Sequence, residues 1–182
     1  GIQDVVSVQA ADLDGDGDLD VAAAAFPQGF TQRSILWFEN IDGQGHFGAP
    51  HVVLQNGNGS SSVVAADLDG EVNLALVAAV VGNHRIVWSE NVDGQGTYET
   101  PISINWEVAL CRIDVADVDG DRDLDILSAP YFPPPLGLVM GIHGPTYWYE
   151  NDGNGNFGSE RLIGDTGNSI HPADIDGDGD VD

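Results

Sequence analysis

The chain contains no lysine. Its 182 residues hold five basic side chains, all arginine, against 30 Asp and Glu, for a formal charge of −25. Nucleic acid and anionic membrane surfaces both need a basic patch, and this composition cannot build one. Cysteine is almost missing as well. Cys111 stands alone, so no intrachain disulfide is possible, and its setting in the apolar run VALCRI (108–113) reads as a buried structural thiol rather than a nucleophile. No apolar run is long enough to cross a bilayer, and no leader pattern is present. What the chain has is 42% hydrophobic residues, with Trp, Tyr and Phe recurring at regular places. That content does not fit disorder, the usual companion of such an acidic balance. Most of the acids are gathered in a few short loops, which points to local chelation rather than to a solubilising tail.

Those loops are the landmarks of an internal repeat. DLDGDGDLD begins at Asp12, DLDGEVNLA at Asp67, DVDGDRDLD at Asp117 and DIDGDGDVD at Asp174, in steps of 55, 50 and 57 residues. A short apolar stretch precedes each loop, and another (VAAAAF, LVAAVV, ILSAPYF) follows each of the first three. A third landmark then recurs as WFENIDGQGHFG, WSENVDGQGTYE and WYENDGNGNFG, placing Trp37, Trp88 and Trp148 in equivalent positions. One unit reads as four antiparallel strands, at about 4–9, 20–25, 35–40 and 46–54. The acidic loop joins the first two strands, and an Asp-Gly-rich hairpin joins the last two. No sustained 3.6-residue period supports a helix. Four strands in 50 to 57 residues predict an all-β fold, a β-propeller of four-stranded antiparallel blades. Residues 1–182 then form a partial propeller, with repeats at approximately 2–54, 61–104 and 110–163 and a truncated one at 169–182. Alanine-rich second strands suit crowded inner positions, and the Trp residues are expected to fill the space between neighbouring blades.

The loops carry the chemistry. Calcium takes six to eight oxygen ligands, and alternating Asp with Gly lets a tight turn aim successive oxygens at one centre. In the first loop Asp12, Asp14 and Asp16 supply side-chain oxygens, Asp18 its main-chain carbonyl, and Asp20 closes the cage. Asp117, Asp119, Asp121, Asp123 and Asp125 take these roles in the third loop, and Asp174, Asp176, Asp178, Asp180 and Asp182 in the fourth. The second loop has lost its closing carboxylate to Ala75 and its second glycine to Val72, so weak or absent calcium is expected there. An EF-hand needs a Glu at loop position 12 between two helices, and Ala23 and Ser128 stand at that position here. Magnesium, which prefers fewer protein ligands and retained waters, fits less well.

The acidic loops, the WFENIDGQGHF-type hairpins and a literal FGAP at 47–50 resemble the FG-GAP/VCBS repeats of the integrin alpha-subunit β-propeller and its lectin-like relatives. The resemblance covers essentially the whole chain. It implies an extracellular or cell-surface adhesion or recognition module with a protein or glycan ligand, completed by further blades or other chains. A structural component of a surface assembly or filament is the alternative, and a propeller-based lyase or hydrolase a more remote one. His46, His51, His84, His143 and His171 are scattered, and no catalytic constellation is visible. The Pro-rich loop 130–145, with Tyr131, Phe132, Met140 and His143, is a candidate ligand contact or a cover over the neighbouring blade.

Overall fold

The computed structural model describes residues 2–29, 32–55, 59–80, 85–105, 111–130, 144–167, 169–178 and 181, apart from the side chains of residues 105, 111, 166 and 167. Three sheets follow one another along the chain. The first is β1 (Ile2–Ala11), β2 (Asp20–Pro27), β3 (Ser34–Phe38) and β4 (His51–Leu54). The second is β5 (Ser60–Ala66), β6 (Ala75–Val80), β7 (Arg85–Ser89) and β8 (Ile102–Asn105). The third is β9 (Cys111–Ala116), β10 (Asp125–Pro130), β11 (Gly144–Tyr149) and β12 (Arg161–Gly167). Each sheet is ordered as its strands occur in sequence, and every neighbouring pair is antiparallel. These are three blades of a β-propeller, with residues 169–178 lying beside the third. No helix occurs among the described residues, and so none long and apolar enough to cross a membrane.

The first two strands run longer than expected, to Ile2–Ala11 and Asp20–Pro27, and the strands around the hairpin are cut back. The third strand ends at Phe38 rather than 40, and the fourth starts at His51 rather than 46. The hairpin between them is held by the single bridge Asn40↔Phe47, repeated as Asn91↔Tyr98 and Asn151↔Phe157. Its polar side chains bind the turn's own backbone, and Pro50 has no N–H to extend a ladder. Cys111 begins β9, but its side chain, the loop residues 131–143, and Asp180 and Asp182 lie outside the described residues.

The core lies between the blades. Strand alternation sends successive side chains to opposite faces of a sheet. Ala22, Ala24, Ile35 and Trp37 therefore meet Val63, Ala65, Leu76, Ala78, Val80 and Val87 of the second blade. The second blade's other face presents Val64, Ala66, Val77, Ala79, Ile86 and Trp88 to Ile113, Ile126 and Tyr149 of the third. Small alanines on the second strand let the sheets approach, and the Trp of the third strand fills the outer part of the wedge.

Trp37 and Trp88 are each fixed on both sides. Within its blade, Trp37 stacks on His51 of β4, centroids 4.4 Å apart and planes at 18°. Ile102 pairs with Trp88 at the same register, and the Arg161 guanidinium lies 4.8 Å over Trp148. Across the interface, a Cβ at Gly96 would fall within 3.0 Å of the Trp37 ring, and one at Gly155 within 3.0 Å of Trp88. Both glycines have positive φ, so two requirements, backbone conformation and ring clearance, select glycine there. The expectation that the tryptophans are inter-blade core holds for Trp37 and Trp88; Trp148 is half-buried and joins neither cluster. Gly45, the matching glycine of the first blade, has open space at its Cβ position.

Candidate metal centres

The acidic loops owe their shape to position one. Both carboxylate oxygens of Asp12 accept backbone hydrogens, from Gly15 at 2.8 Å and Gly17 at 3.0 Å. Asp67 does the same for Gly70 and Val72, at 2.9 and 3.1 Å, and Asp117 for Gly120 and Arg122, at 2.8 and 3.0 Å. Asp174 accepts from Gly177 at 2.6 Å. The side chain mimics the backbone of a turn, which is why Asp suits this place. The sixth position needs a left-handed backbone, with φ of 93° at Gly17, 72° at Val72 and 82° at Arg122. A β-branched residue is strained there, yet the second loop keeps the same turn.

Position nine ties the loop to the rest of its blade. Asp20 opens β2 and is buried, with one oxygen accepting Leu13 N–H at 2.9 Å and the other Asn40 N–H at 2.8 Å. Asp125 is its counterpart in β10, accepting from Val118 at 3.0 Å and Asn151 at 2.9 Å. The closing carboxylate thus joins the loop to the Glu-Asn hairpin as well as facing the other acids.

Three carboxylate groups come together. Asp12, Asp14 and Asp20 place ligand oxygens within 4.8 Å of one another, as do Asp117, Asp119 and Asp125, and Asp174, Asp176 and Asp178. Two oxygens on opposite sides of a cation bonded at about 2.4 Å are separated by about 4.8 Å. An all-oxygen, triply anionic set gathered within that limit is compatible with calcium in its donor chemistry. Ala75 leaves the second loop with only Asp67 and Asp69 of the triad.

Among the described residues, the remaining predicted ligands, Asp16, Asp18, Asp121 and Asp123, do not join these groups. Asp16 accepts the Asp18 N–H at 2.8 Å, and Asp121 accepts that of Asp123 at 3.0 Å, so each spends an oxygen on its own turn. The Asp18 and Asp123 carboxylates lie against the hairpin glycines Gly43 and Gly153, where a Cβ would collide with them. Asn73 occupies the same place beside Gly94 in the second blade.

The groups lie in a predominantly acidic field, with Arg122 in the third loop and Arg161 paired to Glu150 as nearby cations. Burial, then the nearby Asp20, pushes the Asp14 carboxyl above its ordinary value. Asp119 is raised by desolvation and by Asp121, and Asp125 chiefly by burial, against the lowering effect of its two backbone N–H donors. Glu39 and Glu150, the glutamates of the Glu-Asn pairs, add to the pressure on Asp14 and Asp119. These glutamates are absent from the expected ligand set, although their recurrence one residue before a buried Asn was visible in all three repeats.

The Asn itself is the other residue whose role the sequence did not disclose. Asn91 donates from Nδ2 to the Leu13 carbonyl of the preceding blade's loop at 2.8 Å, and Asn151 to that of Leu68 at 2.7 Å. Asn40 and Asn91 also accept from Gly45 and Gly96 within their hairpins, at 2.9 and 3.2 Å. The third hairpin is one residue shorter, and Gly155 N–H turns instead to the Leu68 carbonyl at 3.1 Å. That leaves Asn151 Oδ1 buried without a partner among the described residues.

Comparison with known proteins agrees with this architecture. No curated protein matches the chain. Among solved structures, a lectin from Agrocybe aegerita, described as specifically recognising non-reducing terminal N-acetylglucosamine, superposes with a TM-score of 0.55 at 23% identity. The alignment covers 87% of this chain and 38% of the lectin. Sequence comparison with protein families matches residues 12–78 and 138–182, which include the acidic loops beginning at Asp12, Asp67 and Asp174, to the FG-GAP-like repeat. With more than half of its residues matched to that repeat, the chain belongs to the FG-GAP-like repeat family.

Proposed function

We propose that this chain is a segment of a calcium-stabilised extracellular β-propeller that recognises a protein or carbohydrate ligand. The observation that carries the calcium half is the recurrence of one carboxylate triad, at loop positions one, three and nine, in the first and third blades. The turn itself persists in the second blade without the triad, so the triad is a feature added to a turn that forms without it. Extracellular calcium modules bind at about 10⁻⁴ to 10⁻³ M. At tenfold saturation an ion adds about 1.4 kcal/mol per site, and three sites about 4 kcal/mol, a large share of a domain's stability. The ion is thus a structural one, neutralising each loop and fixing the link between the first two strands.

The recognition half is supported by the fold shared with the Agrocybe aegerita lectin. A glycan array read with calcium and again with chelator tests it, with N-acetylglucosamine-terminated glycans included as a probe. Calcium-dependent retention of a defined glycan class is the expected result. Retention of no glycan under either condition would remove the carbohydrate reading.

A further inference from the structure

Asn91 belongs to the second blade, yet it reaches the centre of the first blade's acidic loop. Leu13 sits between two members of the triad, Asp12 and Asp14, so its backbone torsions set the distance between them. Three constraints hold that residue. Its side chain is buried in the core between the first and second blades. Its N–H is taken by Asp20, the third member of the triad, at 2.9 Å. Its carbonyl is taken by Asn91 Nδ2 at 2.8 Å, in a bond buried on both sides. Asn91 is itself oriented by the hydrogen its Oδ1 accepts from Gly96.

We infer that Asn91 is a positioning residue for the cation site of the first loop, supplied by the neighbouring blade. The inference rests on the calcium reading above. Asn91 touches no ligand oxygen of the triad in this structure. It acts through Leu13, holding the peptide that spaces Asp12 from Asp14 while Asp20 holds the same residue's other end. An interaction that fixes the ligands before the ion arrives lowers the ordering cost of binding. By reciprocity, the ion must strengthen the bond from Asn91 and hence the contact between the two blades.

The third blade supplies an internal control. Asn151 makes the equivalent bond to Leu68, but Leu68 lies in the second loop, where Ala75 replaces the closing carboxylate. The two asparagines are matched in burial and in this inter-blade bond. Asn151 also donates to the Leu124 carbonyl at 3.1 Å and shares the Leu68 carbonyl with Gly155 N–H, and only Asn91 has a triad beyond its bond.

The test measures calcium binding by calorimetry in the full chain, with Asp119→Ala and Asp176→Ala introduced so that only the first loop reports. Asn91→Ala is expected to weaken that site about fivefold, the value of one lost hydrogen bond of about 1 kcal/mol. Asn151→Ala, which removes the corresponding buried inter-blade bond, is expected to leave the affinity unchanged. Equal weakening by both variants, or by neither, would overturn the inference. In case Asn91→Ala fails to fold, side-chain amide exchange in the unaltered chain gives a second readout. Calcium should slow exchange of the Asn91 Nδ2 hydrogens and leave those of Asn151 unaffected, and equal slowing or none would overturn the inference. A parent chain that binds no calcium at all would instead remove the reading on which the inference stands.

Discussion

At the scale of single residues, the second loop separates the parts of the motif that make the turn from those assigned to the proposed ion. Val72 adopts φ of 72° because Asp67 takes its N–H and leaves the backbone no other course. Val72→Gly should therefore stabilise the chain by about 1 kcal/mol, since a left-handed L-residue costs about that much relative to glycine. Thermal unfolding with chelator present measures it, and an unchanged or lowered midpoint would show that the strain is absent. Ala75→Asp is the complementary change. It would place a carboxylate where Asp20 and Asp125 stand, opposite Asp67 and Asp69, and calorimetry should then find one more calcium per chain than the parent. An unchanged stoichiometry would show that the first and third positions alone do not prepare a site. The triad's first, third and ninth positions could be read from Asp spacing alone. The fate of Asp16 and Asp18 could not, because alternation of Asp and Gly does not tell which carboxylates converge on one centre and which turn away from it or lie against a hairpin glycine.

At the scale of strands and hairpins, the repeat's Trp, Gly and Asn form one device that joins consecutive blades. The strand pattern and the Trp spacing disclosed the sheets and the inter-blade core. The partner of each Trp was hidden, because Gly96 and Gly155 read as turn residues and their approach to a ring in another repeat has no local signature. Trp88→Ala should cost about 3–5 kcal/mol, as for other large aromatic residues removed from a core, and chemical denaturation would reveal it. A loss below 1 kcal/mol would mean the indole does not wedge the blades apart. Asp125 of the third loop and three hairpin aspartates also titrate in opposite senses. Asp125 is raised by burial, so its ionised form costs stability above its folded value, and that cost is relieved as pH falls toward 3.8. Asp42, Asp93 and Asp152 are lowered, mainly by side-chain hydrogen bonds from His46, Thr97 and Asn156, and their contribution is present above 3.8 and lost below it. Chelated protein should thus become more stable as pH descends to just above 3.8 and less stable beyond. Calcium-loaded protein should lose stability throughout the same descent, as protons displace the ion. Parallel curves with and without calcium would contradict the assignment.

At the scale of the whole molecule, equivalent positions meet different surroundings in different blades. Val8, Leu19 and Phe47 are 63%, 60% and 47% exposed. Their counterparts Val63 and Ile113, Leu74 and Leu124, and Tyr98 and Phe157 pack against the preceding blade's core clusters. Behind this rim, Ala23, Ala25 and Leu36 form a small buried cluster with Phe38. Phe47→Ser should shift stability by less than about 0.5 kcal/mol, as exposed substitutions do. Phe157→Ser, at the packed position, should cost about 2 kcal/mol, as lost core side chains do. Equal effects at the two positions would contradict the blade-to-blade packing described here. The central claim is that the triads hold calcium, and titration of the chelator-stripped chain near neutral pH tests it most directly. Calorimetry should find at least two sites with dissociation constants of about 10⁻⁴ to 10⁻³ M, together with a rise in the unfolding midpoint. No binding heat at millimolar calcium, with a midpoint indifferent to chelator, would contradict the account.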